Sequence, residues 1–160
     1  MPGEPRRADQ AEPFSIPGAM NVLYLCCCFF LPLKHMQLTS AYGYRIHPVT
    51  GNYAFHSGVD LKARHDTVFS VLEGRVTFMG YDPITGVHIR VKSGDFELLY
   101  GHLSQVFVLA GDSVHAGMPL GITGATGRVT GEHLHFAVRY RQAAINPLKF
   151  LNSLSYNLNK

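Results

Sequence analysis

Five side chains in the middle of the chain have the types and spacings from which a metal centre flanked by acid–base groups could be built. They are His56 and Asp60 in His56-Ser57-Gly58-Val59-Asp60, His102 in Tyr100-Gly101-His102, and His133 and His135 in His133-Leu134-His135. Imidazole nitrogens combined with a carboxylate oxygen suit zinc. In a strand, residues 133 and 135 point to one face while Leu134, Phe136 and Val138 point to the other. Two imidazoles then meet one cleft, and the opposite face anchors them in the core. Gly58 and its β-rich surroundings make His56 and Asp60 bracket a turn that enters a strand, from which each could reach one ion. His-x-x-x-Asp and His-x-His are weak signals separately, because a structural or solvated histidine explains either more often. Their joint occurrence, with another His behind a Tyr-Gly turn, is what points to a site.

The elements that must position these groups are short strands. Apolar residues recur with period two at Val76 and Phe78, at Val87, Ile89 and Val91, and at Leu134, Phe136 and Val138, which predicts half-buried strands. Turn signals fall between them at Glu73-Gly74, Asp82-Pro83, Thr85-Gly86, Ser93-Gly94-Asp95, Gly111-Asp112 and Gly124-Ala125-Thr126-Gly127. An all-β, antiparallel domain follows. Asn146 and Pro147 read as N-cap and first position of a short C-terminal helix carrying Leu148 and Leu151. No other stretch offers a helical stripe of the length a crossover helix needs, and no internal repeat is present.

At 160 residues the chain is sized for one domain. Apolar residues make up 46% and charged residues 16% against a globular norm of about 25%, so a wholly disordered chain is excluded. The net charge of +3 is scattered, not gathered in a stripe, and no nucleic-acid footprint is expected. All nine histidines lie between His35 and His135. His35, His47, His65, His88 and His115 take bland readings, with His88 and Arg90 on the polar side of the Val87–Val91 strand.

Residues 1–19 hold four prolines and mixed charge and read as a disordered lead. The segment 20–37 contains the apolar run Val22–Leu31, too short for a membrane span and readable either as an export segment or as a first strand, with membrane association through it as a corollary. Cys26, Cys27 and Cys28 are adjacent and cannot form a disulfide framework. Leu25 argues against a lipid-modified cysteine there. Residues 38–152 are expected to form the functional domain and 153–160 a tail.

Several stretches, in this order, resemble the lysostaphin-like or LytM-type zinc metallopeptidases of family M23: Thr39 to Gly51 with Tyr42-Gly43-Tyr44-Arg45-Ile46-His47-Pro48, then His56 to Asp60, Tyr100 to Leu103, and Gly124 to Arg128 leading into His133 to Phe136. The resemblance covers roughly residues 38–150. It implies a β-sheet domain with a substrate groove over one zinc ion per chain, with His56, Asp60 and His135 as metal ligands and His102 and His133 as catalytic residues. Three protein ligands leave a fourth position for water or substrate, as in catalytic zinc sites. The chain departs from the family pattern at Glu132, where Pro is usual, and at Ala137, where an acidic residue is common, but neither is a ligand position.

The implied function is a zinc-dependent metalloendopeptidase that hydrolyses peptide cross-links of bacterial peptidoglycan, working as a monomer in the periplasm or outside the cell. A catalytically silent module that binds wall or activates a hydrolase is the alternative, and an amidase would need a similar zinc site. A biotinyl or lipoyl carrier, suggested by the turn in Val108–Gly117, fails because no Lys occurs between Lys92 and Lys149.

Overall fold

The period-two runs fold as strands in the computed structural model, which describes residues 29–46 and 51–158. In chain order these are β1 (Leu38–Ser40), β2 (Gly43–Ile46), β3 (Tyr53–His56), β4 (Gly58–Lys62), β5 (Thr67–Phe69), β6 (Gly74–Asp82), β7 (Gly86–Ser93), β8 (Phe96–Val106), β9 (Ser113–Val114), β10 (Pro119–Thr123), β11 (His133–Tyr140) and β12 (Ala143–Ile145), closed by helix α1 (Pro147–Leu158). Every strand pair is antiparallel. The large sheet runs β1-β4-β11-β8-β7-β6-β9, with β10 joining β8 to β5, and β2 and β3 form a separate hairpin.

The central strands carry the core. Val59, Leu61, Ile89, Val91, Leu98, Tyr100, Leu134, Phe136 and Val138 are fully buried, and each large apolar side chain so buried contributes about 1.5–3 kcal/mol. Helix α1 lays Phe150 and Leu151 into the same core. Its start is capped as the Asn-Pro pair predicts: Asn146 Oδ1 accepts from the Leu148 and Lys149 amides at 3.0 and 3.3 Å. The helix runs on to Leu158, so most of the stretch expected as a tail is helical.

Two readings of the strand pattern are corrected. Val76 is buried but Phe78 is 39% exposed, because the β6–β7 register shifts between them and the extra residue turns Phe78 to the opposite face. His88 is buried and not on a polar side. The β7–β8 register is also irregular between Val87 and Ile89, and His88 stacks on the Phe78 ring at 4.8 Å while Arg90 covers the other end of that stack at 5.4 Å.

Of the apolar run Val22–Leu31, only Phe29, Phe30 and Leu31 fall within the described residues. They form no strand. The segment nonetheless packs on the domain through buried Leu33, the Phe30–Phe69 ring contact at 5.1 Å and the Phe30 amide bonded to the Val71 carbonyl at 2.9 Å. The cysteines, the lead and His47 lie outside the described residues.

Candidate active site

The β4–β11 ladder sets Asp60 directly opposite His135, so a carboxylate and an imidazole face each other across one rung. His56 ends β3, with only Ser57 between it and β4, and its ring swings over the same rung. The three polar atoms converge: His56 Nε2 lies 3.2 Å from His135 Nδ1 and 3.2 Å from Asp60 Oδ1, and His135 Nδ1 lies 2.9 Å from Asp60 Oδ1. Zinc bonds of about 2.0–2.1 Å in a tetrahedron place ligand atoms about 3.3 Å apart. The triangle matches one face of that tetrahedron, and two imidazoles with one carboxylate are a zinc donor set. The residues present therefore fit the metal.

Backbone carbonyls set the proton on each ring. A carbonyl can only accept, so the ring nitrogen against it must carry the hydrogen. His56 Nδ1–H donates to the Ala41 carbonyl at 2.9 Å, His102 Nδ1–H to Thr126 at 2.8 Å and His133 Nδ1–H to Gly131 at 2.8 Å. In the neutral ring this tautomer leaves Nε2 as the atom that can take a metal or a proton. For His56 that nitrogen enters the triangle; for His133 it lies 3.6 Å from Asp60 Oδ1. The His102 and His133 rings meet edge to face at 4.6 Å, and His102 reaches within 5.8 Å of His135.

His102 is held in an unusual backbone state. Strand β8 pairs with β11 as far as Gly101 and with β10 from Leu103, and the handover falls on His102, whose φ is +62°. Such a conformation in a non-glycine residue costs on the order of 1–3 kcal/mol and persists only where its surroundings enforce it. Here the Thr85 carbonyl accepts the His102 amide at 2.8 Å and Thr126 accepts the ring. Gly86 (φ +65°) and Gly127 (φ +78°) bring those two segments together, since a Cβ on Gly127 would sit 2.4 Å from the Gly86 nitrogen. Asp82 braces the turn by accepting the Ile84 and Thr85 amides at 2.7 and 2.8 Å.

Electrostatics keep the site ready for a cation. Burial alone would raise the Asp60 carboxyl, but hydrogen bonds and charge from His135 and His56 outweigh it and hold the group ionised, well below the usual carboxylate range. Burial pushes the His102 imidazole down to about 4, with the Thr126 carbonyl working the other way. It is therefore neutral near pH 7. In the unfolded chain His102 returns to its ordinary value of 6.5, so between about 6.5 and about 4 the unfolded state binds the extra proton. The metal-free protein should then lose stability as pH falls through that window, with Asp60 adding a loss in the same direction at lower pH. Urea midpoints of chelated protein at pH 7 and pH 5 test this; equal midpoints contradict it.

Gly58 explains why nothing larger precedes Val59. A Cβ there would lie 2.7 Å from His135 Cε1, 2.9 Å from His135 Nε2 and 2.7 Å from the Phe136 carbonyl. Gly58→Ala should displace the His135 ring and weaken zinc binding about 10–100-fold, the scale for losing a ligand's support. Competition with a chromogenic chelator reads it out, and unchanged affinity would contradict it.

The five residues expected from the sequence are thus brought to one place, at the floor of a cleft of about 500 Å³. Four contributors were not legible in these roles. Thr85 and Thr126 act through backbone carbonyls, which any residue type supplies. Arg45, whose Nη2 donates to Asp60 Oδ2 at 3.4 Å, was visible only as part of the Tyr44-Arg45-Ile46 stretch. Glu132, at the position of the usual Pro, accepts from the Thr123 hydroxyl at 2.9 Å and from the His65 amide, tying down the entry to β11.

Residues 54–147, more than half of the chain, match peptidase family M23. The chain belongs to that family. The M23 chain is 35% identical over 119 residues to the DD-carboxypeptidase/endopeptidase Mpg of Neisseria meningitidis, a match covering 73% of this chain and 27% of that protein. It is 32% identical over 126 residues to the glycyl-glycine endopeptidase ALE-1 of Staphylococcus capitis, covering 74% of this chain and 35% of that one. Among solved structures, a zinc-containing peptidase from Vibrio cholerae superposes with a TM-score of 0.69 at 32% identity, covering 74% of this chain and 39% of that one. The M23 chain spans about a quarter to a third of the length of the two relatives named first. Its antiparallel β fold with one C-terminal helix is the fold of the M23 peptidases.

Proposed function

We propose that this M23 chain is a zinc-dependent endopeptidase that hydrolyses peptide cross-links of bacterial peptidoglycan, binding one zinc ion per chain and acting as a monomer in the periplasm or outside the cell. The observation that carries this is the convergence of His56 Nε2, Asp60 Oδ1 and His135 Nδ1 on one point, with two further imidazoles set beside it. In this reading His56, Asp60 and His135 hold the metal, which when bound supplies Lewis acidity toward a carbonyl and toward water.

His102 and His133 do the proton work. Each is pinned at Nδ1 and free at Nε2, so each can accept a proton from the attacking water as its oxygen bonds to the scissile carbon. The imidazolium so formed donates Nε2–H to the developing oxyanion and then gives the proton to the leaving amine as the C–N bond breaks. The unusual backbone at His102 is compatible with a ring whose direction matters more than its comfort. A wall-binding or hydrolase-activating module would not call for three imidazoles preset in this way.

The monomer reading is supported by a site built wholly from one chain. The envelope location follows from the substrate, since peptidoglycan lies outside the cytoplasmic membrane. Incubation of zinc-loaded protein with purified peptidoglycan should release soluble muropeptides whose masses are those of uncross-linked stems. Binding to the wall without release would instead favour the silent-module reading.

A further inference from the structure

His88 is the most deeply buried histidine among the described residues, at 1% exposure, and it is not one of the five residues of the site. It faces one of them across the sheet. Val87 pairs with Leu103 and Ile89 with Tyr100, so β7 has one residue, His88, where β8 has two, Gly101 and His102. That is a β-bulge, a device that re-aims a side chain, and the residue re-aimed is His102 with its φ of +62°.

The His88 ring is tied to the turn that holds His102. Its Nδ1 lies 3.1 Å from the Gly86 carbonyl and 3.2 Å from the Thr85 hydroxyl, with Asp82 Oδ2 at 3.5 Å. The carbonyl can only accept, so Nδ1 carries the hydrogen. The Thr85 hydroxyl donates to Asp82 Oδ2 and meets the ring with its oxygen. Thr85 is also the residue whose carbonyl accepts the His102 amide at 2.8 Å. Gly86 leads into Val87, whose amide bonds to the Thr126 hydroxyl at 3.0 Å, and the Thr126 carbonyl accepts from the His102 ring. One buried N–H thus anchors the Thr85–Val87 stretch, through which both restraints on His102 run.

The other side of the ring is apolar. Nε2 is buried with no hydrogen-bond partner among the described residues, and Phe78 stacks on the ring at 4.8 Å. A buried polar atom left unbonded is destabilising, so packing alone favours an aliphatic residue here. What histidine adds is the Nδ1–H donor.

We infer that His88 is a positioning residue for His102: its Nδ1–H holds the Thr85–Gly86 turn so that the bulge keeps the His102 ring aimed into the cleft. The consequence for rate rests on the reading of His102 as an acid–base group; the positioning itself does not.

Three substitutions separate donor from packing. His88→Asn keeps an N–H at the place of Nδ1, His88→Gln moves it to the place of Nε2, and His88→Leu removes it while filling the space. In the zinc-loaded full chain, kcat on a soluble cross-linked muropeptide should fall about 10–100-fold for the leucine and glutamine variants, the scale of a misaimed catalytic group. KM and zinc content should stay as in wild type, and the asparagine variant should recover most of the rate. Because His88 acts through His102, His88→Leu should cost nothing further in a His102→Asn background. Independently of activity, solvent exchange of the His102 amide, read by NMR, should quicken about tenfold in the leucine and glutamine variants and stay slow in the asparagine variant.

Folded leucine and glutamine variants with wild-type kcat, or with wild-type exchange at His102, overturn the inference. So does an asparagine variant as impaired as they are, or a His88→Leu effect of the same size in the His102→Asn background. If the leucine variant does not fold, the asparagine–glutamine comparison decides alone. Quickened exchange in a protein whose wild type cleaves nothing upholds the positioning and overturns the peptidase reading. Cleavage with wild-type kcat and exchange in all three variants does the reverse.

Discussion

Replacing His135 with alanine should remove zinc from the protein and lower muropeptide release by on the order of a thousandfold or more, the scale on which a central catalytic group is lost. The ring supplies one of the three converging atoms, and its removal leaves Asp60 Oδ1 without its 2.9 Å partner. Two ligand atoms remain 3.2 Å apart, which is one edge of a tetrahedron and too little to hold the ion. Stability should fall as well, because an ionised carboxylate in a half-dry site loses a hydrogen bond, at about 1–3 kcal/mol. Asp60→Asn should reproduce the loss of metal with a smaller change in shape. Metal analysis of the purified variants, with circular dichroism to establish folding, reads this directly. A folded His135→Ala protein that retained a full equivalent of zinc would show that the ligand set lies elsewhere.

Replacing His102 or His133 should separate chemistry from metal. Neither contributes an atom to the ligand triangle, so zinc should stay while turnover drops about 10²–10⁴-fold, the usual worth of a positioned acid–base group. His102 needs a careful choice of substitute because its φ of +62° is strained for most residues. Asparagine tolerates that region better than alanine, so His102→Asn should keep both fold and metal and lose only rate. His133 sits at the start of β11 in extended backbone, and alanine is adequate there. Wild-type turnover in either variant, with zinc bound, would remove that residue from the catalytic role.

Much of this site is legible in the sequence, and the reason is periodicity. Because β11 is a regular strand, alternate residues fix which side chains share a face, and Leu134, Phe136 and Val138 are indeed buried while His133 and His135 meet the cleft. The same rule misplaces Phe78, because a one-residue register shift in β6 turns it to the face that carries His88 and Arg90, and it misses the burial of His88, which lies under the Phe78 ring; no residue type there announces the bulge. The helix cap is legible because Asn-Pro carries its own mechanism. The carbonyls of Ala41, Thr126 and Gly131 that fix three ring tautomers are not, since a backbone oxygen leaves no mark on sequence. Nor is the role of Gly58, which is defined by the absence of a side chain against His135, a residue 77 positions further along the chain.

The most direct test of the central claim is a zinc titration of chelator-stripped protein, with release of uncross-linked stems from purified peptidoglycan followed at each addition. The account predicts no release from the stripped protein and full recovery at one equivalent of zinc per chain. Undiminished release from fully metal-free protein would contradict it.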